Sequence, residues 1–178
     1  TIEPDMGISS QLLHYENNLG QGQTYVSNDR PRKVILLIGD GMGLSQITAG
    51  SIVKKIPLAL ERCRQVGLVK TYSTKLITDS AASATAMATG QKTYNGAISM
   101  DVHQNKLKTI VEYAEEHQWR TGIVTTATVT HATPACFYGH QPTRANVNRL
   151  LAAEFLTQDI EVLMGGGWYY FKDGPDGR

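Results

Sequence analysis

A serine at the start of a helix is the first feature of this sequence that points to chemistry. Ser80 follows Asp79 and opens a run of small, helix-compatible residues that ends at Gly90. The first N–H groups of a helix lack partners within it and the helix dipole is positive there, so the position suits an anion such as phosphate. The same field favours the alkoxide of a serine, which makes Ser80 a candidate nucleophile. Taken alone, an N-cap role for Asp79 or Ser80 is the commoner explanation.

A carboxylate inside a glycine-rich turn is the second feature. Asp40 lies within residues 39–43, directly after an aliphatic run. The glycine spacing is not that of a dinucleotide-binding loop, and a carboxylate there repels bare phosphate but suits a hard divalent cation. From spacing alone, a metal ligand and a turn aspartate that caps the next helix both stay open.

Three further polar side chains come from later segments. His131 and Thr133 lie in a polar turn, and Arg144 follows one short helix further on. Singly, each has an ordinary explanation as a structural histidine, a turn or N-cap threonine, and a solvated arginine. Together with Asp40 and Ser80 they supply polar metal ligands, a nucleophile and a guanidinium that can hold two phosphate oxygens, which are the groups that phosphoryl transfer needs.

Alternating strands and helices must position these groups. A continuous aliphatic run predicts a strand at residues 33–38, and further strands are predicted at residues 65–72, 121–125 and 160–164. Helical periodicity predicts helices at residues 44–56, 80–89, 108–117 and 144–158, with a short one after the turn at His131. This alternation favours an α/β fold, a three-layer α/β/α arrangement with a mostly parallel central sheet. Because functional loops of such sheets lie at the carboxyl ends of the strands, we expect the polar segments to converge.

Composition narrows the class of protein. The 178 residues are 41% hydrophobic and 19% charged, with a formal net charge of +1, as in globular domains. No basic stretch supports nucleic-acid binding, and the longest apolar run, residues 34–38, is too short to span a membrane. Cys63 and Cys136 lack metal-thiolate spacing; one disulfide or two free thiols both stay open. The polar start of the chain leaves two readings, an intracellular protein or one whose signal has been removed.

Five segments carry a resemblance to a known family. In order, residues 34–43, 78–86, 92–97, 131–135 and 163–167 closely resemble the motifs of alkaline phosphatase, and the segment around Ser80 is the most specific. The resemblance implies a hydrolase that converts small-molecule phosphate monoesters to inorganic phosphate by double in-line displacement through a phosphoserine. It also implies a homodimer when complete, and a periplasmic or secreted protein whose signal peptide has been removed.

The resemblance further implies two Zn²⁺ ions and one Mg²⁺ ion as cofactors. Matched by position, Asp40 bridges one zinc and the magnesium, Thr133 ligates magnesium, and Ser80 is both nucleophile and metal contact. His131 stands near magnesium, where some members carry aspartate.

The same resemblance assigns the substrate contacts. Ser80 becomes the phosphoserine, Arg144 grips two phosphate oxygens, and Asp79 orients that arginine. These three residues therefore form the implied phosphate-binding set.

The family pattern breaks in the second half of the site. The family draws most zinc ligands from segments beyond the strand predicted at residues 160–164, and this chain has no histidine after His140. We therefore expect residues 1–32 to be an N-terminal arm and residues 33–178 the N-terminal portion of a truncated catalytic domain, which is inactive or nearly so alone. A related phosphodiesterase or phosphomutase, a non-catalytic phosphate-binding domain and a purely structural α/β domain are the alternatives.

Overall fold

The computed structural model describes residues 33–54, 56–63 and 65–172, and the chain divides into two units after Ile38. In the first unit, the described residues 33–38 form neither helix nor strand, and Ile35 is 83% exposed. The strand predicted there is therefore not formed. An aliphatic run favours a strand only where a neighbouring strand accepts its hydrogen bonds, and composition does not supply that neighbour. The arm predicted at residues 1–32 lies outside the described residues.

The second unit contains the regular elements of the described chain. Its helices are α1 (Leu44–Lys54), α2 (Ser80–Thr89), α3 (Ile110–Glu116), α4 (Ala132–Ala135) and α5 (Asn148–Phe155), its strands are β1 (Gly122–Thr128) and β2 (Val162–Gly166), and its 3-10 helices are Ala59–Arg62 and Trp168–Phe171. β1 and β2 pair in parallel, with Gly122 opposite Val162 and Thr128 opposite Gly166. The predicted α/β class with a parallel sheet is therefore confirmed.

The strand predicted at residues 65–72 is not formed. The structure places no helix or strand in residues 65–72, and Leu68 is 97% exposed. The reason is the same as for residues 33–38, because strand pairing needs a partner edge. Among the described residues, only β1 and β2 make up a sheet.

The helix α2 lies at the centre of the packed region, with the bounds predicted from the sequence. Ala81, Ala84 and Ala88 are buried along one side, and their small side chains let α2 pack closely against α4. Gly90 ends the helix in a left-handed conformation with φ +75°, which glycine adopts without steric cost. Local composition thus determined both the length of α2 and its buried face.

Helix α5 begins later than predicted. It starts at Asn148, and Arg144 lies in the turn before it rather than on the helix. Asn146 interrupts the helical pattern with φ +59°, a left-handed conformation that asparagine tolerates better than most residues. Leu151 of this helix is buried, whereas its neighbour Leu150 is exposed.

Two other helices leave apolar side chains uncovered. Ile52 and Val53 of α1 are exposed, and no residue of α1 is buried. In α3 the exposed residues include Ile110 and Tyr113. Helical periodicity identifies an apolar stripe, but the neighbours in space decide whether that stripe is covered. No helix in the described part of the chain is long and apolar enough to cross a membrane.

Replacing Thr85 with valine is expected to lower the free energy of unfolding by at least about 2 kcal/mol. Thr85 is fully buried on α2, where its hydroxyl donates to the Ala97 carbonyl at 3.0 Å and accepts from the Ser99 N–H at 2.9 Å. Valine keeps the shape of the side chain but leaves two buried backbone groups without that partner. Urea denaturation followed by circular dichroism measures the loss.

Thr89→Val is the matched control for this prediction. The Thr89 hydroxyl donates to the Thr85 carbonyl of its own helix at 2.8 Å, so removing this hydroxyl leaves no buried group without a hydrogen-bond partner. We expect a change within about 0.5 kcal/mol. If the two valine variants lost equal free energy of unfolding, the two hydrogen bonds of the Thr85 hydroxyl would not be the cause of the loss.

Candidate active site

The amino end of α2 holds two of the candidate residues. Asp79 is the N-cap, and its Oδ1 accepts from the Ala82 N–H at 2.9 Å. Ser80 is the first helical residue, and its hydroxyl is only partly buried. The capping explanation therefore holds for Asp79, while the Ser80 hydroxyl is left to face another side chain.

That side chain is Arg144. Its Nη1 donates to Ser80 Oγ at 2.6 Å and lies 3.5 Å from Asp79 Oδ2. Asp79 thus uses one carboxylate oxygen for the helix cap and turns the other towards the arginine. The Arg144 side chain is 33% exposed, so the ion pair is accessible to a ligand from solvent. A guanidinium between a carboxylate and a hydroxyl, at the positive end of a helix, is an arrangement that attracts an anion.

His131 completes the contacts of this arginine. Arg144 Nη2 lies 3.2 Å from His131 Nε2. Because a guanidinium can only donate, Nε2 is the acceptor in this contact. The sequence resemblance placed His131 near magnesium. The structure gives it a contact with Arg144.

Asp40 and Thr133 form a second contact. Thr133 Oγ1 donates to Asp40 Oδ2 at 3.1 Å. Asp40 lies in the turn before α1, where Gly41 has φ +66°. The hydrogen bond that the structure gives the Asp40 carboxylate is with Thr133, and the Gly43 N–H at the start of α1 is bound by the Gln46 side chain at 3.0 Å.

The short helix α4 connects the two sets of contacts. His131 is its N-cap and Thr133 lies in its first turn. The helix follows β1, so both residues lie at the carboxyl end of a parallel strand, the usual position for functional loops. The six residues singled out from the sequence therefore form two sets of side-chain contacts, which the backbone of α4 joins.

One anchor of this group was missed by the sequence reasoning. Thr130 Oγ1 donates to Asn148 Oδ1 at 2.8 Å, which ties the loop after β1 to the start of α5. This bond holds the turn containing Arg144 beside the turn containing His131. The sequence offered only a weak indication of this bond, namely a threonine after a predicted strand and an asparagine near the start of a helix.

The residues of this group fit one of the implied metals better than the other. The Asp40 carboxylate and the Thr133 hydroxyl are adjacent oxygen ligands, the type that Mg²⁺ prefers. A zinc site needs three or more nitrogen, sulfur or carboxylate ligands. Within residues 33–54, 56–63 and 65–172, no group of three histidines, cysteines, aspartates or glutamates is arranged to hold a metal ion. The described residues therefore do not fit a zinc site by themselves.

Cys136 lies close to the candidate nucleophile but is not a competitor for its role. It is fully buried and its thiol lies 3.4 Å from the Ala81 carbonyl. Burial raises the pKa of this thiol to about 11, so it stays protonated at neutral pH. Both cysteines are free thiols, with Cys63 exposed, which decides between the two alternatives that the sequence left open.

Comparison with known proteins places the chain among phosphatases. A family profile described as alkaline phosphatase matches residues 31–177. Alkaline phosphatase 3 of Bacillus subtilis is 41% identical over 157 residues, covering 79% of this chain and 34% of that relative.

Solved structures give the same result. The alkaline phosphatase of the Antarctic bacterium TAB5 is 38% identical and superposes with a TM-score of 0.74, covering 78% of this chain and 41% of that one. A variant of the TAB5 enzyme solved with Mg bound matches equally well, with a TM-score of 0.74, 38% identity and coverage of 78% and 40%. The chain thus spans between a third and two fifths of the relatives named here.

Proposed function

This chain belongs to the alkaline phosphatase family, and on that premise we propose that it contributes the nucleophile and the phosphate-binding arginine of a phosphomonoesterase. The contact that carries the proposal is the 2.6 Å hydrogen bond from Arg144 to the Ser80 hydroxyl at the start of α2. A phosphate group that replaces this contact meets the serine oxygen and the guanidinium at the same time.

Each residue has a separate task in the proposed reaction. Arg144 binds two phosphate oxygens through Nη1 and Nη2, and Asp79 keeps the guanidinium in place from the helix cap. The Ser80 oxygen forms a bond to phosphorus as the bond to the leaving oxygen breaks. The serine proton passes to solvent, and the leaving oxygen takes one up. Water then displaces phosphate from the phosphoserine and restores the hydroxyl.

The metal ligands of this chain are part of the proposal. Asp40 and Thr133 supply oxygen ligands for one Mg²⁺, with His131 beside them. We expect the two Zn²⁺ ions to be held mainly by residues beyond those described here, since the described residues do not assemble a zinc site. When bound, such cations lower the pKa of a hydroxyl group and stabilise the leaving oxygen.

Little turnover is expected from residues 1–178 alone, because the serine has its arginine but lacks a zinc site among the described residues. The test compares residues 1–178 with the complete gene product on p-nitrophenyl phosphate, with zinc and magnesium added. We expect turnover from the complete gene product to exceed that of residues 1–178 by at least about 10³-fold. Equal rates would show that the metal argument is wrong.

Two alternatives from the sequence give different results in the same experiment. A phosphodiesterase would hydrolyse bis-p-nitrophenyl phosphate faster than the monoester. A non-catalytic binding domain would bind inorganic phosphate in calorimetry, with no turnover by the complete gene product under any metal condition. Either result would overturn the proposed monoesterase activity.

The cellular setting is proposed from the family alone. We expect a periplasmic or secreted location and a homodimer for the complete protein. Cell fractionation and light scattering on the purified complete gene product measure these two properties, and a cytosolic monomer would contradict both.

A further inference from the structure

An aromatic segment follows β2 at the same edge of the sheet as the candidate site. The 3-10 helix Trp168–Phe171 begins two residues after β2 ends at Gly166. The register places Gly166 opposite Thr128 at the end of β1, and the Val129 N–H donates to the Gly166 carbonyl at 3.0 Å. His131 is three residues beyond Thr128. The two loops that carry His131 and Trp168 therefore leave neighbouring strand ends.

Contacts with α5 show where the aromatic segment packs. The Arg149 guanidinium, near the start of α5, lies 5.2 Å from the Tyr169 ring centroid and donates to the Lys172 carbonyl at 2.9 Å. At the other end of α5, Phe155 meets Phe171 edge to face at 6.2 Å. Tyr169 and Lys172 therefore both lie against the start of α5, the helix that follows the turn with Arg144.

The aromatic surface is open to solvent and flanked by positive charge. Trp168 is 69% exposed and Tyr169 49% exposed. The Lys172 ammonium lies 3.2 Å from the centroid of the Trp168 ring, on one face of the indole. Exposed apolar surface is a common mark of a ligand-binding or interaction site. Cations beside it complement the negative charge of a phosphate ester.

We infer that Trp168 is a stacking surface for the aromatic leaving group of a phosphate monoester whose phosphate is held at Ser80 and Arg144. The inference rests on the proposed function, since it names the substrate class for the same site. A planar ring attached to the ester oxygen projects away from the phosphate and stacks on the indole face opposite Lys172, and stacking between such rings strengthens binding.

Binding of two phosphonates that cannot be hydrolysed tests this inference without turnover. The complete gene product, loaded with zinc and magnesium, is titrated in a calorimeter with phenylphosphonate and with methylphosphonate. We expect the phenyl compound to bind about 5- to 10-fold more tightly, as stacking predicts. Trp168→Ala should abolish this preference without weakening the binding of methylphosphonate. Trp168→Phe should retain most of the preference.

Trp119→Ala is the matched control. Trp119 is the other tryptophan of the chain, is 42% exposed, and precedes the opposite, amino end of β1. Its replacement should leave the preference unchanged. Equal affinities for the two phosphonates in the unaltered protein, or a preference that survives Trp168→Ala, would overturn the inference. Turnover of p-nitrophenyl phosphate, measured separately, reports on the proposed function alone.

A comparison of substrates separates the possible sources of the ring. Naphthyl phosphate and adenosine 5′-monophosphate both present a planar aromatic group, whereas glycerol phosphate does not. A Trp168→Ala effect on the KM of naphthyl phosphate alone assigns the surface to aryl esters attached directly to phosphate. An effect on the KM values of both naphthyl phosphate and adenosine 5′-monophosphate assigns the surface to nucleotides as well. No effect on either, with turnover intact, contradicts the inference.

Discussion

Replacing Ser80 with alanine is expected to lower the kcat of the complete gene product by at least about 10³-fold, because the variant lacks the oxygen that attacks phosphorus. The serine hydroxyl lies 2.6 Å from the arginine that is proposed to bind the phosphate, so a phosphate bound by this arginine lies beside the serine oxygen. The measurement is the steady-state rate on p-nitrophenyl phosphate. Acid quenching during turnover, followed by mass spectrometry, should find phosphate on the peptide that contains Ser80.

Ser83→Ala controls for changes in the helix itself. Ser83 lies one turn further along α2, and its hydroxyl lies 3.0 Å from the Thr78 hydroxyl. We expect its kcat to stay within a few-fold of the unaltered protein. If Ser80→Ala retained full activity, or if the phosphorylated peptide lacked Ser80, the nucleophile would have to be another group.

Replacing Arg144 with alanine is expected to lower kcat/KM by about 10²- to 10³-fold, the usual cost of removing a positioned donor from a developing charge. Nη1 and Nη2 are directed towards Ser80 and His131, so the guanidinium presents two donors on one side. Arg144→Lys keeps the charge but loses the paired donors, and we expect an intermediate loss. Calorimetry with inorganic phosphate should show weaker binding in the same order, alanine weakest.

Arg120→Lys is the control for this substitution. Arg120 precedes the amino end of β1, whereas the candidate site follows the carboxyl end of the strand. We expect both the affinity for phosphate and kcat/KM to be unchanged. A lysine at position 144 that performed as well as arginine would mean that charge alone, rather than paired hydrogen bonds, holds the phosphate.

The helical elements were largely predictable because their signals are local. Asp79 and Gly90 mark the ends of α2, and the alanines between them indicate a helix that packs closely. The strands at β1 and β2 were also recognised, within a few residues at their ends. The segments at residues 33–38 and 65–72 were also predicted as strands, but they are not paired within the described chain. Hydrogen bonding between strands depends on a second segment, and no local pattern encodes it.

The sequence by itself determined the family, the element order around α2 and the types of residue available for phosphoryl transfer. Only the tertiary structure decided which of those groups meet: Arg144 with Ser80 and His131, and Thr133 with Asp40. These contacts join residues from separate elements, and their distances depend on how β1, α4 and the turn before α5 are packed. Helix caps and turns follow from interactions over a few residues, whereas a site of this kind depends on the path of the whole chain.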